Sequence, residues 1–297
     1  MLFGTFFLRK NERKMKIAMQ GVRGAFHEIA IRKYFDGNDY DVVPCASFYE
    51  LFDALRFERA NYGMVAIENS IVGSILPNYT LLRESGLRIL GEVYLRIEQH
   101  LLALPGQTLD DIRKVYSHPM ALQQCREFLT PMRRKGIQLV DSEDTALSAK
   151  WISEGNMKGV AAIASRLAAK LYGLHILAEG IETNKLNYTR FLIVSHEENY
   201  QSHRNGKQIN KASFCFVLPH QQGRLSEVLS VLSFYKINLT KIQSLPIVGE
   251  EWEYLFYVDV DFSNYQKYRQ SLDAIRPLLG ELTVFGEYEK GGKVHEN

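Results

Sequence analysis

The sequence predicts an α/β chain that ends in a ferredoxin-like βαββαβ unit, and three observations support this prediction. Short apolar runs alternate with amphipathic helical patterns over residues 16–194, which is typical of crossover units packed on a sheet. Residues 211–288 show strand and helix patterns in the order βαββαβ. A polar stretch without periodicity, residues 196–210, lies between these two parts and is interpreted as a linker.

The elements of the first part follow one another in a regular order. The first strand runs into a turn at residues 21–24 that contains two glycines and leaves free backbone N–H groups at the start of a helix. Ser47 and Asp144 are predicted helix caps, and Ser117 with Pro119 marks a third helix start. The predicted strands are 16–20, 42–43, 62–67, 87–98, 115–116, 160–163 and 191–194, and the predicted helices are 25–35, 48–59, 77–84, 120–130, 145–154 and 165–171.

The last part of the chain is short and carries the βαββαβ order. Its predicted strands are 211–218, 237–247, 252–261 and 282–288, its helices are 224–235 and 264–278, and a turn falls at 248–250. This unit looks like an ACT domain, the small regulatory module that is often appended to enzymes of amino-acid biosynthesis.

Composition excludes several classes of function. The chain has 297 residues and a formal net charge of +2, which gives no global reason to expect nucleic acid or an anionic membrane as a partner. Its three scattered cysteines suggest buried small side chains in a reducing cytoplasm, with neither a disulfide framework nor a metal site. Residues 1–14 contain an apolar run that is too short to span a bilayer and lacks the order of a signal peptide. They are interpreted as a disordered extension, or as the result of a misassigned start at Met1 in place of Met15.

Three short runs give the chain a family resemblance. They are Ile67-Glu68-Asn69-Ser70, then Tyr116-Ser117-His118-Pro119 leading to Gln123-Gln124-Cys125, and finally Asn187-Tyr188-Thr189-Arg190-Phe191. Each run alone is common, but in this order and spacing they closely resemble the prephenate dehydratase family. The resemblance extends from about Lys16 to the end of the ACT-like unit.

The resemblance implies a fold and an activity. The expected architecture is a catalytic domain at 15–195 with two α/β lobes, similar to a type II periplasmic-binding-protein fold, followed by the linker at 196–210, an ACT domain at 211–290 and a tail at 291–297. The expected reaction converts prephenate to phenylpyruvate, with loss of water and carbon dioxide, in L-phenylalanine biosynthesis, without a metal or an organic cofactor. The active site is expected in the cleft between the lobes.

The resemblance also assigns residues to the site. The expected catalytic residues are Thr189, Glu68, Asn69, Ser117 and Gln124, and the expected substrate-binding residues are Arg190, Phe191, Ser70, Gly73, His118 and Thr145. The Thr189 hydroxyl should donate a hydrogen bond to the departing oxygen, and Glu68 should supply the proton if burial raises its pKa. A planar guanidinium suits a carboxylate, so Arg190 is expected to bind the pyruvyl carboxylate beside Thr189. Backbone N–H groups at the helix starts should share the negative charge of the substrate.

Several of these residues also have a simpler structural interpretation. Thr189 is able to satisfy a strand edge, and Arg190 is able to pair with a surface carboxylate. Ser117 is equally suited to be a helix cap. The first turn departs from the family pattern, since Val22 replaces a usual proline and Ala25 and His27 replace small hydroxyl residues.

The ACT-like unit carries two segments that resemble phenylalanine-binding elements, Gly223-Arg224-Leu225-Ser226 and Gln243-Ser244-Leu245-Pro246. The expected effector-binding residues are Asn238, Leu239, Gly223, Leu225, Gln243, Ser244, Leu245 and Pro246. Modules of this kind usually pair about a two-fold axis with effectors at the joint, so a homodimer or tetramer is expected. Arg224, Gln243 and Leu245 depart from the family pattern, which leaves regulation by L-phenylalanine an open expectation.

Two other functions remain open from the sequence. Arogenate dehydratases share the motifs and act on a substrate with an amine in place of the keto group, and an acidic residue near that position would favour the amine. A two-lobed solute-binding or effector-sensing protein is the alternative outside enzymes, since such proteins have similar lobes.

Overall fold

The structure is a computed structural model, and it describes residues 14–219, 221–246 and 254–295. The predicted extension at residues 1–14 lies outside these ranges except for Lys14, and the predicted turn at 248–250 lies outside them entirely. Within the described ranges, no helix is both long enough and apolar enough to cross a lipid bilayer. The cytoplasmic location stays a prediction.

The first lobe begins with strands and helices in alternation. Its elements are β1 (Met15–Gln20), α1 (Phe26–Tyr34), β2 (Tyr40–Cys45), α2 (Phe48–Arg56), β3 (Tyr62–Asn69), β4 (Gly73–Ser74), α3 (Leu76–Ser85) and β5 (Arg88–Arg96). Strand β1 pairs in parallel with β2 on one side and with β3 on the other. Ser47 caps α2 by accepting the backbone N–H of Glu50, as its position predicts. The predicted α/β alternation of this region is confirmed.

The second lobe has its own five-stranded sheet, with the strand order β10-β6-β9-β7-β8. Its elements are β6 (His100–Ala103), β7 (Lys114–Ser117), α4 (Pro119–Gln124), α5 (Arg126–Arg134), β8 (Gln138–Asp141), α6 (Thr145–Glu154), β9 (Val160–Ala164), α7 (Arg166–Tyr172) and β10 (His175–Ala178). Asp144 caps α6 and Ser165 caps α7, each by accepting a backbone N–H three residues later. The helix predicted at 120–130 is divided at Cys125 into α4 and α5.

The chain then returns to the first lobe through β11 (Tyr188–Ser195), which is followed by α8 (Glu197–Arg204). Strand β11 lies between β3 and β5 and is antiparallel to both. Its side chains alternate between the two faces of the sheet, as in any strand. Phe191 and Ile193 pack on the face that α1 covers, whereas Leu192 and Val194 pack on the opposite face. The chain therefore crosses between the lobes twice, and the cleft lies beside these crossings.

In the part of the chain that the structure describes, the C-terminal unit is a four-stranded antiparallel sheet with two helices on one face. Its elements are β12 (Lys211–Leu218), α9 (Arg224–Phe234), β13 (Asn238–Pro246), β14 (Tyr254–Asp261), α10 (Tyr265–Ile275) and β15 (Glu281–Tyr288), and β16 (Lys293–Val294) follows it. The strand order is β13-β14-β12-β15. Apolar side chains of α9 and α10 share a core with Phe214 and Phe216 of β12. The predicted βαββαβ order is confirmed.

The other face of this C-terminal sheet packs on the first lobe. Cys215, Tyr257 and Phe285 belong to the same buried core as Leu51 and Leu55 of α2. This core lies on the face of the first sheet that is opposite to α1. The face of the first sheet that points away from the cleft is therefore covered by α2, α3 and the C-terminal unit together.

Two segments that were predicted to be irregular have structure. The predicted linker contains α8, in which Tyr200 is buried and its hydroxyl accepts the backbone N–H of Glu287 at 3.0 Å. The predicted tail contains β16, which pairs in parallel with β5. The predictions of an irregular linker and an irregular tail were therefore wrong. One buried aromatic side chain in a polar run, and a two-residue edge strand, leave no periodic pattern in the sequence.

The three cysteines are buried and unpaired, which confirms the prediction that they serve as small apolar groups. Burial raises the pKa of the Cys45 thiol to about 11, and that of Cys125 and of Cys215 to about 12. Their thiols therefore stay protonated at neutral pH.

Candidate active site in the cleft between the lobes

A cleft of about 290 Å³ lies between the sheet of the first lobe and the helix starts of the second lobe. Both lobes contribute to its wall. The residues assigned to the site from the sequence that line it are Asn69, His118, Gln124, Thr145, Thr189 and Phe191. The structure therefore brings together side chains that are up to 122 residues apart, from Asn69 to Phe191, as the family resemblance implies.

Thr189 is buried at the start of β11, and its hydroxyl is held by one amide. The Asn69 amide Nδ2 donates to Thr189 Oγ1 at 3.0 Å. The carbonyl Oδ1 of the same amide accepts the backbone N–H groups of Ile71 and Val72 at 3.0 and 3.1 Å. Because the carbonyl is fixed by two donors, the NH₂ group must face Thr189. The Thr189 oxygen is thus an acceptor toward Asn69, and its own proton remains available as a donor.

Asn187 and Gln124 extend this arrangement into a chain of amides. Asn69 Nδ2 also donates to Asn187 Oδ1 at 2.8 Å, and Asn187 Nδ2 donates to Gln124 Oε1 at 3.0 Å. Asn187 is fully buried and was not assigned to the site from the sequence. Its position two residues before Thr189, directly ahead of β11, is the signal that would have found it, because residues two apart in extended chain share a face.

Three helix starts converge on the cleft. Ala25 lies at the start of α1, His118 at the start of α4 and Thr145 at the start of α6, and all three line it. The positive ends of helices and their unpaired N–H groups favour anionic ligands. The two lobes touch beside this point, since the backbone carbonyl of Gly24 accepts the Ser165 hydroxyl at 2.6 Å. The cleft therefore offers anion-binding backbone from both lobes.

Asp144 places a carboxylate in the cleft in addition to capping α6. Its Oδ1 accepts the N–H of Leu147 at 2.9 Å. Its Oδ2 faces the first lobe, 2.8 Å from the position that a Cβ on Gly21 would occupy. Burial raises the pKa of this carboxyl, although the N–H groups at the start of α6 act in the opposite direction. The sequence predicted only the cap, because the approach to Gly21 depends on how the lobes close.

His27 forms part of the cleft wall beside Phe191. Its ring meets Phe191 edge-on at a centroid distance of 4.9 Å and lies 5.7 Å from the ring of Phe48. Its Nε2 is buried and has no hydrogen-bond partner within the described residues. Burial lowers the pKa of His27 to about 3, so the imidazole is neutral at any working pH.

We expect His27 to make the protein less stable in mild acid. Between about pH 6 and pH 4 the unfolded chain binds a proton at His27 and the folded chain does not. This difference lowers the unfolding free energy of the protein by about 1.4 kcal/mol for each pH unit by which the pH is lowered. His27→Phe keeps the ring without the titration. Urea unfolding at several pH values gives the unfolding free energy as a function of pH. The slope of this free energy against pH should be flatter in the variant than in the parent. Equal slopes would contradict the burial of this histidine.

Arg190 lies on the opposite face of β11 from Thr189, so the prediction that it binds the substrate carboxylate is wrong. Its guanidinium is buried, with Nε donating to Glu92 Oε2 at 2.7 Å, Nη2 donating to the Tyr288 hydroxyl at 3.1 Å, and Nη1 bound to Asp259. Burial alone would lower the pKa of Arg190, but the negative charges around it, that of Asp259 first, hold the pKa well above its usual value. Successive residues of a strand point to opposite faces. Arg190 therefore joins the first lobe to the C-terminal sheet.

Glu68 points to the same side as Arg190, which is its partner in the pairing of β3 with β11. Its carboxylate binds Lys241 Nζ of the C-terminal sheet at 2.8 Å. The same Lys241 Nζ donates to the Ser74 hydroxyl at 2.7 Å. The prediction that Glu68 supplies a proton in the cleft is therefore wrong, because a register irregularity in this strand pair and the adjoining unit direct the side chain away.

Ser117 fills neither of its two predicted roles. It is fully buried, and its hydroxyl donates to the backbone carbonyl of Ile163 at 2.7 Å. The cap of α4 is His118, whose Nδ1 accepts the N–H of Met120 at 3.2 Å. Ser117 thus ties β7 to the neighbouring strand β9, and it does not line the cleft.

Ser70 and Gly73 also lie outside the cleft, contrary to the prediction. The Ser70 hydroxyl donates to the carbonyl of Leu186 and accepts the N–H of Tyr188, both at 2.9 Å. It therefore fastens the loop before β11. Gly73 has a φ of +89° and begins β4, where a positive φ favours glycine. Both residues support the segment that carries Asn69.

The predicted effector residues lie in separate places on the C-terminal unit. Gly223 and Leu225 lie at the start of α9, beside a pocket of about 200 Å³. The others lie along the edge strand β13 and are Asn238, Leu239, Gln243, Ser244, Leu245 and Pro246. A single chain does not bring these segments into one site, so their role stays a prediction. Gln243 Oε1 accepts the Ser74 hydroxyl at 3.2 Å, which links this strand to the first lobe.

Comparison with known proteins finds relatives that align with most of the chain. A sequence profile described as prephenate dehydratase matches residues 17–199, more than half of the chain. Arogenate dehydratase/prephenate dehydratase 2 of Arabidopsis thaliana is 37% identical over 288 residues, which cover 94% of this chain and 74% of that protein. The solved prephenate dehydratase from Arthrobacter aurescens, in complex with L-Phe, has a TM-score of 0.81 and 27% identity, with 93% of this chain and 90% of that chain covered. GqqA, described as a novel type of quorum quenching acylase, has a TM-score of 0.81 and 32% identity over 93% of this chain and 98% of its own.

Proposed function

The chain belongs to the prephenate dehydratase family, and we propose that it converts prephenate to phenylpyruvate, water and carbon dioxide in L-phenylalanine biosynthesis. The observation that carries this proposal is the Thr189 hydroxyl, which faces the cleft with its oxygen held by Asn69. That oxygen accepts a hydrogen bond from Asn69, and a hydroxyl that accepts still has one proton to donate, which we assign to the ligand.

The reaction breaks two bonds of the substrate ring. The electron pair of the bond to the ring carboxylate moves into the ring as carbon dioxide leaves. The bond to the ring hydroxyl breaks at the opposite position, and this group takes a proton from solvent water and departs as water. Thr189 donates a hydrogen bond to the departing oxygen as negative charge develops on it. Such an interaction accelerates the reaction because it is stronger in the transition state than in the ground state.

The cleft suits a substrate that must lose a carboxylate. Among the described residues that line it there is no lysine or arginine. A cation clamped on the ring carboxylate would stabilise the ground state more than the transition state, in which that charge is dispersed. The starts of α1 and α6 hold the other carboxylate by their N–H groups and dipoles. Phe191 and His27 contact the ring.

Arogenate is the second candidate substrate, and the charge of the cleft favours it. Glu143 and Asp144 bring carboxylates into the lining. Prephenate is a dianion, whereas arogenate carries an ammonium group in place of the keto group and has one net negative charge. Like charges at close range repel, so this lining opposes the dianion more strongly. The Arabidopsis relative is named for both activities.

The C-terminal unit is proposed to be an ACT domain, at 211–290, that regulates a two-lobed catalytic domain of the periplasmic-binding type at 15–195. L-Phenylalanine is the proposed effector, and the related Arthrobacter structure was solved with L-Phe. Contacts connect the C-terminal unit with the cleft: Lys241 of β13 binds Glu68, and the residue after Glu68, Asn69, donates a hydrogen bond to Thr189. We propose a homodimer or tetramer in which α9 of one copy and β13 of another complete the effector site.

One assay tests the proposal. The purified chain is given prephenate or arogenate, with and without L-phenylalanine. We expect phenylpyruvate from prephenate, followed by its absorbance in alkali, or phenylalanine from arogenate, followed by chromatography. Added L-phenylalanine should change the rate. A cooperatively folded chain that leaves both substrates unchanged would rule out the proposed function.

A further inference from the structure

Asp144 is the charged group of the cleft that is best placed to distinguish the two candidate substrates. Its carboxylate is half-buried between the lobes, with Oδ1 on the start of α6 and Oδ2 toward Gly21. Glu143, the other acidic residue of the lining, is exposed. Solvent screens an exposed charge strongly and a partly buried charge much less. The electrostatic contribution of Asp144 therefore dominates the acidic side of the cleft.

The two substrates differ at one position. Prephenate has a keto oxygen there, which only accepts hydrogen bonds, and arogenate has an ammonium group, which donates three and carries a positive charge. A carboxylate accepts from ammonium in a charge-assisted hydrogen bond. The same carboxylate repels a keto oxygen and offers it no donor. Discrimination of this kind combines attraction of one ligand with repulsion of the other.

We infer that the Asp144 carboxylate binds the ammonium group of arogenate and makes the chain select the amino-acid substrate over the keto acid. This inference rests on the proposed dehydratase function. The position of Asp144 supports it, because the helix starts that attract carboxylates line the same cleft. The substrate carboxylates then bind the backbone of the helix starts, and the ammonium group binds the side chain that caps one of them.

The test is the ratio of kcat/KM for arogenate to kcat/KM for prephenate in the parent and in Asp144→Asn. Asparagine also caps helices well, so α6 keeps its start while the charge is lost. We expect the parent to prefer arogenate. In the variant this ratio should be about 10- to 100-fold lower, which is the effect of losing one hydrogen bond between charged groups. The value for prephenate should stay the same or rise.

Two further variants make the result specific. Asp144→Ser keeps a capping hydroxyl and should lower the ratio as Asp144→Asn does. Asp141→Asn removes a carboxylate three residues away, at the exposed end of β8 and outside the lining, and should leave the ratio unchanged. Thermal melting checks that all variants fold.

The outcomes separate this inference from the proposed function. If Asp144→Asn lowers both kcat/KM values equally, or leaves both unchanged, Asp144 acts only as a helix cap and the inference is wrong. A parent that converts prephenate and not arogenate also overturns the inference, and leaves the dehydratase function in place. A folded parent that converts neither substrate overturns both.

Discussion

Thr189→Val should lower kcat by about 100- to 1,000-fold, which is the effect of removing one preorganised donor to a developing negative charge. Valine has nearly the same shape as threonine, so the packing beside Phe191 should persist. The change leaves one N–H of Asn69 without its acceptor, which costs about 1–3 kcal/mol of stability. Steady-state kinetics with arogenate and prephenate measure the first effect, and thermal melting measures the second.

Thr189→Ser is the matched control for the hydroxyl. It restores the donor and the acceptor for Asn69 without the methyl group. We expect its kcat to lie within about tenfold of the parent, since a methyl group contributes about 1 kcal/mol. If the valine variant is as active as the serine variant, the Thr189 hydroxyl has no role in the reaction.

Arg190→Met should destabilise the protein by about 3–5 kcal/mol, because it leaves buried carboxylates without their partner. Glu92 and Asp259 lie against the guanidinium and are almost fully buried. The residue lies on the face away from the cleft, so KM should change by less than about threefold. Loss of a buried charge contact with the substrate would instead cost ~2–5 kcal/mol of binding free energy and raise KM much more. Melting temperature and KM are measured on the same preparation. A rise in KM of two orders of magnitude at unchanged melting temperature would restore Arg190 as a substrate ligand.

An exposed ion pair between the same two parts of the molecule provides a control for the buried ion pairs of Arg190. Arg83 binds Glu281 at 3.4 Å and also joins the first lobe to the C-terminal sheet, but both side chains are substantially exposed. Arg83→Met should therefore cost less than about 1 kcal/mol. Adding Asp259→Asn to Arg190→Met should recover part of the lost stability, because it removes one unpaired buried charge.

Much of the fold could be predicted from local signals. Ser47 and Asp144 begin their helices because short polar side chains accept backbone N–H groups there. The strand at 211–218 has the bounds predicted from its apolar run. Short strands such as β6, β8 and β10 have four residues each, too few for a periodic pattern. Their bounds are set by pairing with the neighbouring strands β6, β7 and β9, which the local sequence does not reveal.

The site was predicted in part. The motifs located Asn69, Gln124 and Thr189, which do meet in the cleft. The alternation of side chains along a strand should have shown that Arg190 faces away from Thr189. The sequence held no sign that Glu92 and Asp259 receive that arginine, because these partners come from distant strands. Asp144 was assigned to its helix correctly, and its place in the cleft required the second lobe.

The measurement that decides between the two faces of β11 is a crystal structure with phenylpyruvate or phenylalanine bound between the lobes. We predict a ligand oxygen or ring atom within contact distance of Thr189 Oγ1, with Arg190 still bound to Glu92 and Asp259. A ligand carboxylate bound to the Arg190 guanidinium, with Thr189 turned away, would contradict this arrangement.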